Sequence, residues 1–240
     1  MRQLSLLPLL FLAALACRDE SVKPEKDSEP AEEVPADIVP SKLCSTLFSN
    51  IIAMFPEAKN NQQRYLALFS DTVQQQIVLT KESEVYVSFV AEGATIASTL
   101  GWYTYNETSP PGSRSDVELN LLFPHVSGDV LKQGDTRKLG EGKFKAGTVI
   151  GFFLIVGGWQ DGIVTYKKPT LFTDQAWNTG MARQHVLFKE KQCGDVVIGF
   201  EDKQITLGTD ADFNDIIFTV SDNNTELETV SFDLKNVVIM

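Results

Sequence analysis

The sequence predicts an all-β protein, an antiparallel β-sandwich of jelly-roll type with a short helical segment ahead of it. Three observations carry that expectation. From about residue 74 onward, apolar residues fall in short runs, several with period-two alternation and none with a long period of 3.6. Turn-forming clusters separate the runs, among them Pro110-Pro111-Gly112, Gly140-Glu141-Gly142, Gly157-Gly158 and Asp222-Asn223-Asn224. The runs are also too numerous for one open sheet, and no long helical pattern lies between them to build a parallel one.

The chain begins as an export signal does. Arg2 supplies a positive start, 4–12 form a short apolar stretch, and small residues lead to Cys17, the pattern of a bacterial lipoprotein signal over 1–17 in which Cys17 becomes the lipidated N-terminus. An ordinary signal peptide cut near Ala16 is the alternative. The apolar stretch is shorter than the ~20 residues that a membrane helix needs. Residues 18–40 then read as a disordered acidic tether: Pro24, Pro30, Pro35 and Pro40 punctuate it, and three basic residues against eight carboxylates leave it at −5. Position 18 is Arg, not Asp, which fits outer-membrane sorting.

Residues 41–72 form the helical segment. Ser41 is the expected N-cap, Leu43, Leu47, Ile51 and Met54 recur at spacings of three and four, and Pro56 ends the run; a weaker stretch covers 62–69. Residues 73–240 form the sandwich, with strands expected at 76–80, 84–92, 99–105, 117–123, 147–156, 162–166, 185–189, 196–201, 216–220 and 230–238. In the second of these, Val85, Val87 and Phe89 alternate with Tyr86, Ser88 and Val90, so one face is core. Residues 147–156 are apolar on both faces, which predicts a central strand covered on each side.

Cysteines add a constraint. Assigning Cys17 to the acyl chain leaves Cys44 and Cys193 either to pair, tying the helical segment to the sheet, or to remain two separate thiols. The two His and the lack of a Cys-x-x-Cys give no zinc pattern. A net charge of −11, with no basic stripe, argues against nucleic acid as a partner and suits a cation-collecting surface.

Carboxylates concentrate between two apolar runs. Glu201 and Asp202 close the strand expected at 196–201, and Asp210, Asp212, Asn214 and Asp215 precede the strand at 216–220. Alternating oxygen side chains at 210, 212 and 214 are the spacing with which calcium loops turn successive ligands to one centre. This is not an EF-hand: Asp215 stands where glycine is needed, Ser221 where the bidentate Glu belongs, and strands flank the loop. A hairpin between the two strands returns the chain beside itself and brings both acidic groups together. If 213–217 are extended, Asp215 shares an apolar face with Phe213 and Ile217. A carboxylate there needs a cation, a basic partner or turn amides, and calcium bound structurally by these six residues is the expectation adopted, with capping and salt bridges as the bland alternative.

Gly199-Phe200-Glu201-Asp202 followed by 210–218 resembles the signature of the bacterial domain of unknown function 4114, also related to LruC-type outer-membrane lipoproteins. The resemblance extends upstream through 87–94, 99–105, 147–153 and 184–186, so that it spans about 85–220. It implies a β-rich module of secreted or surface proteins, often beside calcium-dependent adhesive regions, and implies no catalytic mechanism.

Other residues invite weaker readings. His185 is expected to be a hydrogen-bonded structural residue and His125 a turn residue. Trp102, Tyr103, Tyr105 and Trp159 form either a sugar-stacking platform or ordinary core and edge aromatics. Glu201 and Asp202 are adjacent and point to opposite faces, which is wrong for a glycosidase pair, and no nucleophile elbow, zinc-protease helix or phosphate loop occurs. The expected function is therefore a lipid-anchored surface module, held to the membrane by its acyl chain, that binds glycan or a surface protein. A polysaccharide hydrolase and a purely structural envelope protein are the alternatives.

Overall fold

The structure, a computed structural model, describes residues 26–223 and 227–240; the expected signal segment 1–17 with its Cys17, and 18–25 of the expected tether, lie outside them. Two sheets pack face to face. The first runs in the order Phe232–Asp233, Ile77–Leu79, Thr148–Ile155, Ser98–Asn106, Asn120–Val126, with Thr170–Phe172 also paired to Thr148–Ile155. The second runs Val238–Ile239, His185–Lys189, Val196–Phe200, Ile216–Ser221, Tyr86–Glu92, Asp135–Lys138, Val39–Pro40. Their neighbours are antiparallel except for Val238–Ile239, which lies parallel to His185–Lys189. A small third sheet joins Ser28–Pro30, Ile163–Thr165 and Trp159–Gln160.

Alternation sorts the side chains of each strand. Val196, Ile198 and Phe200 enter the core between the sheets together with Val85, Val87, Phe89, Phe152 and Phe218, and the rings of Phe152 and Phe218 meet there at 5.0 Å. The opposite face of the second sheet presents Val90, Val186, Phe188, Val197 and Ile217, which the helical segment covers with Leu47, Ile51, Phe55 and Leu68. Thr148–Ile155 is central, as its two-sided apolar pattern predicts: Ile150, Phe152 and Leu154 face the main core, while Phe153 and Ile155 face a third cluster with Tyr103 and Phe172.

Helix α1 spans Leu47–Met54 and buries Leu47 and Ile51, one turn apart. It begins after Thr46, not after Ser41, whose N–H instead donates to the Gly134 carbonyl at 2.8 Å. The Phe55 N–H closes the helix on Ile51 at 2.7 Å, and Pro56 prevents continuation. Helix α2, Asn61–Arg64, is capped by Asn60 Oδ1, which accepts from the Gln63 N–H at 2.9 Å. Cys44 and Cys193 form a disulfide across a sequence separation of 149, pinning the start of the helical segment to the turn that joins His185–Lys189 to Val196–Phe200.

Several expectations are corrected. Residues 26–40, assigned to a disordered tether, pack on the sandwich: Ser28–Pro30 pairs with Ile163–Thr165, Val39–Pro40 pairs with Asp135–Lys138, and Pro35 is buried. Composition misled here because prolines suit edge strands, where one side of the backbone needs no partner. The strand expected over 230–238 is two short pieces, Phe232–Asp233 and Val238–Ile239, in different sheets. Asp135–Lys138 and Thr170–Phe172 were not foreseen, being short and largely polar or isolated between turns. His125 sits inside strand Asn120–Val126, stacked on Trp159 at 5.6 Å with Nδ1 2.9 Å from Glu33.

Candidate metal centre

The hairpin of Val196–Phe200 and Ile216–Ser221 sets the site, since Phe200 pairs with Ile216 and the acidic residues flank that pair. Between the strands the chain crosses the outer face of the sheet. Gly199 permits this crossing: a Cβ there would stand 2.3 Å from the Phe213 carbonyl oxygen. Ala211 and Phe213 take positive φ angles of 56° and 58°. For a bulky residue such as Phe that conformation is rare and costs about 1–2 kcal/mol. The Phe213 ring is nonetheless buried beside Ile217 under the helices, which holds the bent backbone in place. Residues 210–215 are therefore not an extended strand, and the simple facing of Phe213, Asp215 and Ile217 does not apply. The carboxylates meet through alternating backbone hand instead.

Glu201, Asp212 and Asp215 converge, each offering one oxygen within 4.8 Å of the others. Glu201 and Asp212 are each 1% exposed. Backbone amides orient them: Phe213 N–H donates to Glu201 Oε1 at 2.7 Å, Asp202 N–H to Asp215 Oδ2 at 2.7 Å, and Ala58 N–H to Asp212 Oδ2 at 2.8 Å. Asn61 fastens the same loop, its Nδ2 donating to the Asp212 carbonyl at 2.7 Å and its N–H to the Ala211 carbonyl at 2.8 Å. No Lys or Arg forms an ion pair with any of the three among the described residues.

Burial dominates the electrostatics. Desolvation pushes Asp215 up to about 8, helped by the charges of Asp202, Glu201 and Asp212 and opposed by the Asp202 amide. It pushes Glu201 up to about 7 against the Phe213 amide, and Asp212 up to about 6 against the amides of Ala58 and Asn214. Three carboxyls with so few compensating charges share protons near neutral pH or accept a cation.

The remaining expected ligands divide. Asp210 is exposed and converges with Glu57 and Asp212, not with Glu201 and Asp215. Asp202 joins neither group; its contribution is the amide that orients Asp215, and burial raises its own carboxyl. Asn214 is 5% exposed and donates through Nδ2 to the Phe55 carbonyl at 3.1 Å, while its Oδ1 has no partner. Glu57, 144 residues before Glu201 in sequence, had no motif to mark it. Its only local signal is its place directly after the Pro56 stop, where the helical segment turns back to the sheet.

The four expected aromatic residues do not share one face, although Trp159 packs in the same cluster as Tyr103 and Tyr105. Trp102 faces the main core, where its ring meets Phe144 at 5.6 Å, whereas Tyr103 and Tyr105 lie on the opposite face of the same strand. Their hydroxyls donate to Asp174, at 2.7 Å from Tyr103 and 3.2 Å from Tyr105. His185 is buried, with Nε2 2.8 Å from the Gln75 carbonyl, and burial lowers it to about 3, which suits a neutral structural imidazole.

With this geometry in place, comparison with known proteins adds one finding. Residues 144–223 match the family model described as a domain of unknown function, DUF4114. The matched segment runs from just before the central strand Thr148–Ile155 to just after Ile216–Ser221, so it contains Glu201 and 210–215 but neither Glu57 nor the residues upstream of 144 that share the resemblance. No curated protein and no solved structure matches the chain.

Proposed function

We propose that this chain is an exported, lipid-anchored module in which a calcium ion held by Glu201, Asp212 and Asp215 stabilises the sandwich, and that the module serves binding or adhesion. The observation that carries the calcium reading is the convergence of three amide-oriented carboxylates, each offering an oxygen within 4.8 Å of the others, with no basic side chain paired to them among the described residues. All-oxygen, carboxylate-rich donor sets select hard cations, and calcium accepts the irregular geometry that a loop supplies. The ion would displace shared protons and hold the strained segment at 211–213 against the sheet.

The same geometry disfavours the hydrolase reading. Carboxyl pairs that cleave glycosidic bonds stand about 5–9.5 Å apart across an open cleft. Glu201 and Asp212 are each 1% exposed, too buried to line such a cleft. Membrane attachment rests on the signal-like start and Cys17 alone. Cys17→Ser should abolish acyl labelling and release the protein from membranes; persistent labelling overturns the anchor. Glycan-array and cell-surface binding of the calcium-loaded protein tests the adhesive role, and an absence of any saturable binding contradicts it.

A further inference from the structure

Asp212 belongs to two carboxylate groups at once. On its inner side it meets Glu201 and Asp215; on its outer side it meets Glu57 and Asp210, again with one oxygen from each within 4.8 Å of the others. Beside the outer group lies the buried Asn214 amide. Its Nδ2 is fixed on the Phe55 carbonyl, so Oδ1 is turned the other way and has no donor. That oxygen lies 2.9 Å from the point where a Cβ on Gly93 would stand, and Glu57 Oε2 lies 3.6 Å from the same point. Glycine at 93 thus leaves open the space that borders both oxygens. A buried amide oxygen without a donor is costly, by about 1–3 kcal/mol, and a hard cation satisfies it as well as a hydrogen bond does.

We infer that the loop holds a second hard divalent cation on its solvent side, bound by Glu57, Asp210, Asp212 and Asn214 Oδ1, with Asp212 shared between the two ions. This rests on the calcium reading of the inner site only in that shared carboxylate. The outer ligands differ in character from the inner ones: Glu57 and Asp210 are exposed, so the outer ion exchanges freely and keeps several water ligands. It also joins parts of the fold that the inner ion does not. Glu57 follows helix α1 directly, so the outer ion clamps the helical layer to the hairpin at the end opposite the Cys44–Cys193 disulfide.

Calorimetric titration of the full-length chain with calcium tests this, in wild type, Glu57→Gln and Gly93→Ala. Glu57 is exposed, so its substitution leaves the fold intact; Gly93→Ala places a methyl group against Asn214 Oδ1 without altering charge. Wild type should bind two ions, the weaker one losing at least about tenfold in affinity in each variant, while the thermal stabilisation from the inner ion persists. A wild-type stoichiometry of one, with the same affinity in Glu57→Gln, overturns the outer site and leaves the inner one standing. No binding at all overturns both.

Discussion

Replacing Asp215 by Asn should reverse sign with calcium. In chelator, the folded wild type retains a proton on Asp215 up to about pH 8, whereas the unfolded chain loses it near the ordinary carboxylate value of about 4. Over that interval the native state binds more protons than the unfolded state, so this group's contribution to stability falls as pH rises, with a limiting slope of about 1.4 kcal/mol per pH unit, and the loss is complete above about 8. Asn carries no charge to desolvate, and its Oδ1 still accepts the Asp202 amide that Asp215 now receives at 2.7 Å. Chelated Asp215→Asn should therefore melt above wild type at pH 8 and converge with it as pH falls. The comparison between the two proteins isolates position 215 from groups such as His185, which acts in the opposite sense. Calcium inverts the order. At about 100 times its Kd a ligand stabilises the native state by about 2.7 kcal/mol, which for a chain of this size raises the melting temperature by roughly 5–10 °C, and the Asn variant should forgo most of that gain. Differential scanning calorimetry at several pH values, with calcium and with chelator, reads both effects. Equal calcium gains in the two proteins would show that Asp215 is not a ligand, and a pH-independent difference between them in chelator would show that its carboxyl is not raised.

Further outcomes follow from the same contacts. Gly199→Ala sets a Cβ 2.3 Å from the Phe213 carbonyl oxygen, so it should cost about 1–3 kcal/mol, as overpacking does, and weaken calcium binding by displacing the loop; unchanged stability and affinity would contradict the close crossing. Replacing Cys44 and Cys193 together by Ser should cost about 2–5 kcal/mol in thermal or denaturant unfolding, given the loop of 149 residues that the disulfide closes; a loss near zero would count against that constraint. His185 titrates at about 3 when folded and near 6.5 when unfolded, so its contribution is full above 6.5 and is lost as pH falls toward 3. His185→Gln should flatten that part of the acid limb of the stability profile, and an unchanged limb would show that His185 is not its source.

The parts of the fold legible in the sequence are those in which local pattern and tertiary setting agree. Strand His185–Lys189 has the boundaries its apolar run predicts, and Val85, Val87 and Phe89 take the core face that their alternation assigns. The hairpin that unites the acidic groups follows from two apolar runs joined by one loop. What could not be read depends on backbone hand and on distant chain. Positive φ at Ala211 and Phe213 breaks the period-two rule by which Asp215 was placed, and neither residue is a type that advertises that conformation. Glu57 reaches the site only because the helical layer folds over the outer sheet face. The acidic, proline-rich 26–40 looked unable to bury anything, yet its contribution is edge-strand pairing, which asks little of the side chains.

Glu201, Asp212 and Asp215 should bind a cation together. Elemental analysis and calcium titration of purified full-length protein, alongside Glu201→Gln and Asp212→Asn, test it most directly. Wild type should hold stoichiometric calcium, lost or greatly weakened in either variant and competed by protons as pH falls below about 7, where Glu201 takes up its proton. Wild-type protein that holds no metal and melts at the same temperature in calcium and in chelator would contradict it.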